Sequence, residues 1–208
     1  TMHFDNGSLG SGAATTIIRF GIRSSINDDG SIFVLGAQQE INTNITKGTY
    51  RIYKYNKSIS QWEQYGNTIP TTSTAYYTRG CFLSSDGSRL LITQADSSGL
   101  GLIRVFEFQN EDWVQIGSSL QGTNSNGTTG DSSRCSMFSG DGNTIGAASS
   151  ANTTASERLV KTWRWNGSDW AQIGTPFLTS QDNTTYNNSD FAQLSYDGNR
   201  MAIGSNYD

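Results

Sequence analysis

Eight asparagines of this 208-residue chain stand in Asn-x-Ser/Thr triplets: Asn6, Asn44, Asn56, Asn126, Asn152, Asn166, Asn183 and Asn187. The triplet offers an amide nitrogen for transfer of an oligosaccharide, and the bulky product must ride on a solvated loop. The chain holds 17 Asn, 28 Ser and 23 Thr, a composition from which about four such triplets arise by chance. The doubled number points to a secreted protein carrying covalent N-glycans. The alternative is that these are ordinary turn asparagines. No other attached group or cofactor is expected.

Other residues with chemical potential are few. Aspartates recur at 29, 86, 141 and 197, and paired carboxylates could hydrolyse glycosides. Each stands directly before a glycine, however, and turn formation accounts for all four. Trp62, Trp113 and Trp170 are candidates for stacking on sugar rings, yet they recur at one position of a repeat, as packing residues do. Cys81 and Cys135 are candidates for a disulfide in an oxidising compartment. They sit one register step apart in successive units, which aims them at opposite faces, so two buried free thiols remain the alternative. His3 is the only histidine, which leaves no basis for a His-centred triad or a His-rich metal site. No catalytic residue and no metal ligand is assigned, and an enzyme is not expected.

The elements that carry these residues repeat. Gly30, Gly87, Gly142 and Gly198, each preceded by Asp, are 57, 55 and 56 residues apart. Four residues before them stand Ile26, Leu83, Phe138 and Leu194; three after stand Phe33, Leu90, Ile145 and Met201. Six before them the residue is small: Ser24, Cys81, Ser136, Ala192. Period-2 alternation on both sides of an Asp-Gly turn predicts a β-hairpin. A third strand follows in Tyr50–Tyr55, Ile103–Phe108 and Val160–Trp165, with Arg51, Arg104 or Lys161 second in each. A fourth follows as Trp-x-Gln-x-Gly at 62–66, 113–117 and 170–174. Each unit of about 56 residues is thus a four-stranded antiparallel meander, which buries its faces only by packing on further units.

Composition agrees. Charged residues make up 15% of the chain and aromatics 11%, with 23 glycines, a balance that suits short strands and polar turns. A net charge of −4 argues against a nucleic-acid surface, which needs clustered Lys and Arg. Apolar runs such as Leu90-Leu91-Ile92 are too short for membrane insertion by a helix. Residues 1–17 lack the basic start and apolar stretch of a signal peptide.

Phe20-Gly21, Asp29-Gly30 and Gly36-Ala37 together resemble the Phe-Gly/Gly-Ala-Pro (FG-GAP) repeat of integrin α-subunit β-propellers. With the trailing Trp-x-Gln-x-Gly strand, the unit is more closely similar to propeller repeats of secreted algal and bacterial surface glycoproteins. The resemblance covers residues 18–208 and implies an all-β, propeller-like array. Integrin repeats often hold calcium. The turns here are too short and too poor in carboxylates for six to eight oxygen ligands, so calcium is not carried over.

The expected divisions are an extension at 1–17, units at 18–72, 73–124 and 125–180, and an incomplete unit at 181–208. The extension offers one strand for exchange, around 14–20. An incomplete sheet leaves a bare edge. Either the chain is part of a larger propeller, or a neighbouring copy supplies the missing strands in an open head-to-tail assembly. The expected function is an extracellular structural glycoprotein, the scaffold or protomer of a surface fibril, with copies of itself as partners. The alternative is a carbohydrate-binding or adhesion propeller with glycans as ligands.

Overall fold

The computed structural model describes residues 16–41, 46–72, 77–95, 101–121, 136–150, 158–178 and 191–204. Among the described residues there are strands and turns but no helix. The strands are β1 (Thr16–Ile26), β2 (Ile32–Ile41), β3 (Thr46–Asn56), β4 (Gln61–Gln64) and β5 (Ile69–Pro70) in a first sheet. A second sheet holds β6 (Tyr77–Leu83), β7 (Arg89–Ala95), β8 (Gly101–Gln109) and β9 (Asp112–Gln121). The third holds β10 (Ser136–Phe138), β11 (Thr144–Ser150), β12 (Arg158–Trp165) and β13 (Trp170–Leu178), and β14 (Phe191–Leu194) with β15 (Met201–Gly204) forms a two-stranded fourth.

All pairings are antiparallel and, apart from β3 with β5, join strands adjacent in sequence, and the register repeats. Ile26 faces Phe33, Leu83 faces Leu90, Phe138 faces Ile145 and Leu194 faces Met201. The alternation around each Asp-Gly therefore does what the sequence implies. The turn itself is longer than a two-residue hairpin. Ser84 N–H bonds to Arg89 O and Gly87 N–H to Ser84 O, at 2.9 Å each, so four residues lie between the closing pair. Only the glycine takes positive φ, +72° at Gly87. The aspartate instead turns its carboxylate onto Ser84 Oγ at 2.7 Å and Ser88 N–H at 2.9 Å, an Asx-type closure.

The fourth strand also goes further than expected. In the second sheet Val105 pairs with Ile116 but Ile103 pairs with Leu120, so two extra residues loop out after Gly117. The same step separates Thr162↔Ile173 from Val160↔Phe177. In the first sheet the step splits the strand into β4 and β5, both paired to β3. The strand kinks at the motif glycine instead of ending there, as a bulge does. Residues 16–20, offered by the sequence for exchange, are continuous with β1 and pair with β2, Thr16 opposite Ile41. Their apolar run simply extends the first strand of its own sheet.

The core lies between sheets. Ile32, Val34, Tyr50 and Ile52 of the first sheet meet Cys81, Leu90, Ile92, Phe106 and Trp113 of the second. Leu91, Ile103, Val105 and Ile116 on its other face meet Ile145, Ala147 and Trp170 of the third. Met137 and Val160 receive Leu194, Met201 and Ile203 of the fourth. Alternate residues of one strand thus serve opposite neighbours, and neither face of the second sheet is left for water. Cys81 is a free, buried thiol, and burial pushes its pKa up to about 12. Cys135 lies outside the described residues.

Candidate functional site: the joints between sheets

Each Trp-x-Gln-x-Gly segment is one half of a joint. Gly66, Gly117 and Gly174 hold φ of +76°, +67° and +67°, which lets the strand fold out into its bulge. The motif glutamine spans the kink. Gln64, Gln115 and Gln172 donate through Nε2 to the carbonyls of Gly66, Gly117 and Gly174, at 3.0, 3.1 and 3.5 Å.

The next sheet's tryptophan lands on that bulge. Trp113 donates its indole N–H to Tyr65 O at 2.8 Å, and Trp170 to Ile116 O at 3.2 Å. A Cβ at Gly66 would stand 2.7 Å from Trp113 Cδ1, and one at Gly117 2.7 Å from Trp170 Cδ1. Glycine is thus required by space as well as by φ. The residue before each tryptophan completes the contact. Asp112 accepts from Asn67 N–H at 2.8 Å and Asn67 Nδ2 at 2.7 Å. Asp169 accepts from Ser118 N–H at 2.7 Å and Ser118 Oγ at 3.0 Å. Each carboxylate also caps its own tryptophan's N–H at 2.8 Å.

The Asp-Gly turns form a second row of joints. Asp28 N–H bonds to Ser85 O at 3.0 Å, Ser85 N–H to Gly140 O at 2.7 Å, and Asp141 N–H to Tyr196 O at 2.8 Å. These bonds link four successive turns. A Cβ at Gly87 would meet Ile32 Cδ1 at 2.8 Å, and one at Gly142 would meet Arg89 Cδ at 3.1 Å. Arginines bind the turn ahead. Arg89 donates to Gly142 O and Asn143 Oδ1 at 3.1 and 2.6 Å, and Arg164 to Gly198 O and Asn199 Oδ1 at 3.3 and 2.8 Å.

Hydrogen bonding to the charged form sets the carboxylates of both rows. Asn67 N–H, then its side chain, lowers the pKa of Asp112; Ser118 N–H, then Trp170 N–H, lowers that of Asp169. The Ser195 hydroxyl and Asn199 N–H bring Asp197 down to about 2. A depressed folded pKa stabilises at every pH above the unfolded value, and the contribution is lost as pH falls through the folded value. The ordinary value for an aspartate is 3.8. The melting temperature is therefore expected to hold steady down to about pH 4 and to fall between about pH 4 and 2. A thermal melt series across that range checks this, and a carbon-13 titration of the Asp197 carboxyl should give a midpoint near 2.

The structure places the candidate residues as follows. The four turn aspartates each bind within their own turn, Asp29 to Ser31 N–H, Asp141 to Ser139 Oγ and Asn143 N–H, and Asp197 to Ser195 Oγ and Asn199 N–H. Trp113 and Trp170 are 6% exposed, so their rings serve the joints and offer no platform to a sugar. Trp62 is half-buried and packs edge-on against Phe33 at 4.6 Å, beside Tyr55 at 5.3 Å. Asn166 sits exposed in the turn between β12 and β13, its Oδ1 accepting from Ser168 N–H and Oγ at 2.9 and 3.0 Å. Asn56 ends β3, half-buried, with its Nδ2 on Glu63 at 2.9 Å. Asn6, Asn44, Asn126, Asn152, Asn183 and Asn187 lie outside the described residues. Asp112 and Asp169 were missed by sequence reasoning. The signal was there: each directly precedes a motif tryptophan, whereas Gln61 precedes Trp62.

No family model matches the sequence, and no curated protein matches it. The β-propeller domain of the Trilobed protease from Pyrococcus furiosus is similar at TM-score 0.51 and 10% identity, covering 79% of this chain and 43% of that one. A chain of the Mitotic Checkpoint Complex is similar at TM-score 0.51 and 13% identity, covering 92% of this chain and 47% of that one. The protein thus spans less than half the length of either structure. Four-stranded antiparallel sheets joined face to face, in an arrangement these structures share, make this a chain of β-propeller fold.

Proposed function

We propose that this protein is an extracellular, N-glycosylated structural repeat protein, a scaffold or fibril protomer whose copies join head to tail by strand complementation. The observation that carries the reading is the joint: every interface is assembled from short motifs repeated along the chain. Such a device extends an array without a new recognition surface at each step. Polar turns provide seats for glycans, and Asn166 is the best placed of the described triplets. The side-chain Nδ2 of Asn166 has no hydrogen bond among the described residues, whereas that of Asn56 is held by Glu63. Glycopeptide mass spectrometry of protein secreted by a eukaryotic host is expected to find Asn166 occupied. Electron microscopy of the same material is expected to show linear assemblies. Monomers bearing no glycan would remove the proposal.

One observation favours a second reading, a carbohydrate-binding propeller. Trp62 and Tyr55 form a half-exposed aromatic pair on the outward face of the first sheet, and such rings stack on sugars. Glycan-array binding abolished by Trp62→Ala, with assembly unchanged, would favour it.

A further inference from the structure

The turn that joins β12 to β13, residues 166–169, carries a chemistry that the joints do not use. Asn166, Gly167 and Ser168 are all exposed there. The side-chain oxygen of Asn166 accepts from Ser168 N–H at 2.9 Å, Ser168 Oγ at 3.0 Å and Asp169 N–H at 2.9 Å. Three donors thus converge on one amide carbonyl. Gly167 holds φ of +100°, and no described residue lies within 4 Å of a Cβ placed on it. Among the described residues the Gly167 N–H makes no backbone hydrogen bond.

A carbonyl held by such donors is readied for attack, because negative charge gathers on its oxygen as a nucleophile adds to its carbon. The next nitrogen along the chain, that of Gly167, closes a five-membered ring when it bonds to Asn166 Cγ. Glycine puts no side chain in the way of that approach. The turn after β3 supplies the contrast. Asn56 Oδ1 also accepts from a backbone amide, Ser58 N–H at 3.0 Å. There, however, Lys57 follows the asparagine, and Glu63 Oε2 holds its Nδ2 at 2.9 Å.

We propose that Asn166-Gly167 is a self-modifying site, where the chain converts its own asparagine through a cyclic imide to isoaspartate and aspartate and so loosens the joint between the second and third sheets. The Gly167 nitrogen loses its proton to solvent base and bonds to Asn166 Cγ. The Cγ–Nδ2 bond breaks, and Nδ2 leaves as ammonia with a proton taken from water. A second water opens the imide. Opening at Cγ gives aspartate; opening at the main-chain carbonyl gives isoaspartate, with one more carbon in the main chain. That added length enters a turn closed by Asn166 N–H to Asp169 O at 3.1 Å. Asp169 is the residue that takes Ser118 N–H and Oγ, so a displaced turn draws its carboxylate off the second sheet. An oligosaccharide on Nδ2 would shield the same carbon. That competition rests on the glycoprotein reading above; the cyclisation does not.

The test uses the 208-residue protein made without glycans in a bacterial host and incubated folded at mildly alkaline pH. Peptide mapping by mass spectrometry follows each asparagine. Asn166 is expected to convert, mostly to isoaspartate, while Asn56 keeps its amide. Ser168→Ala, which removes one donor from the carbonyl, is expected to slow the conversion about two- to tenfold. Gly167→Ala, which crowds the attacking nitrogen, is expected to slow it about tenfold. The converted protein, separated by its added negative charge, is expected to melt below the parent. Asn166 intact in the folded protein, or Asn56 converting as fast, overturns the proposal. A converted protein that melts with the parent overturns its effect on the joint. Protein from a eukaryotic host in which Asn166 bears no glycan and still converts supports the cyclisation and counts against the glycan seat alone.

Discussion

Gly117→Val is expected to destabilise the protein by about 3 kcal/mol, and Gly174→Val by only about 1–2 kcal/mol, although the two glycines share one backbone conformation. Both substitutions force a β-branched residue to φ of +67°, a strain of about 1–2 kcal/mol. Gly117 bears a second cost. Its new Cβ would stand 2.7 Å from Trp170 Cδ1, 2.8 Å from Trp165 Cζ3 and 2.9 Å from Asp169 Oδ1. Two of those atoms belong to indole rings, Trp170 buried in the cluster between the sheets and Trp165 packed against it, so relief requires the third sheet to move off the second. Overpacking of this kind adds about 1–3 kcal/mol. At Gly174 no described residue stands within 4 Å, and the strain acts alone. Urea unfolding of the two variants beside the parent measures the difference. Equal losses would mean that the bulge glycine serves only its own strand and that the joint carries no tertiary load.

Trp170→Ala is expected to cost about 3–5 kcal/mol, the range for truncating a large buried aromatic. The ring is 6% exposed and sits in the cluster of Leu91, Val105 and Ile145 that holds the second and third sheets together. Its removal opens a cavity at an interface that two sheets share, and neither sheet can collapse without breaking its own ladder. Trp170→Phe keeps most of the packing and discards the N–H donor, leaving Ile116 O without this partner. A loss of about 1–2 kcal/mol follows for the missing hydrogen bond and the smaller ring. Trp62→Ala, by contrast, removes a half-buried ring that packs within its own sheet on Phe33 and Tyr55, and about 1–2 kcal/mol is expected. Thermal and urea melts of the three variants check the order. Should Trp62→Ala prove as costly as Trp170→Ala, the repeated tryptophan would be a residue of the single sheet and not of the joint.

The joints also say how stability is distributed. Adjacent sheets share the apolar clusters, and among the described residues no cluster spans more than two sheets. Stability then sums over neighbours in a line. Interfaces with both halves of the joint are the firm ones.

Much of this was legible in the amino-acid order alone. The four Asp-Gly pairs and the alternation around them determined hairpins of common register, because side-chain period and turn chemistry are local. Tyr50–Tyr55, Ile103–Phe108 and Val160–Trp165 marked third strands for the same reason. The two faces of these strands carry apolar residues in turn, which already demanded neighbours on both sides. Tertiary structure decided what the motifs are for. Within one unit, Trp113 is an aromatic near a turn and Gly66 a strand end; only stacking brings the indole N–H to the Tyr65 carbonyl and the glycine under the ring. Asp112 and Asp169 drew no notice for the same reason, since their acceptor role involves amides 45 and 51 residues away. Contacts between sheets depend on a separation in space that no local spacing encodes, so the chain's own order could announce the repeated parts but not the surfaces on which they meet.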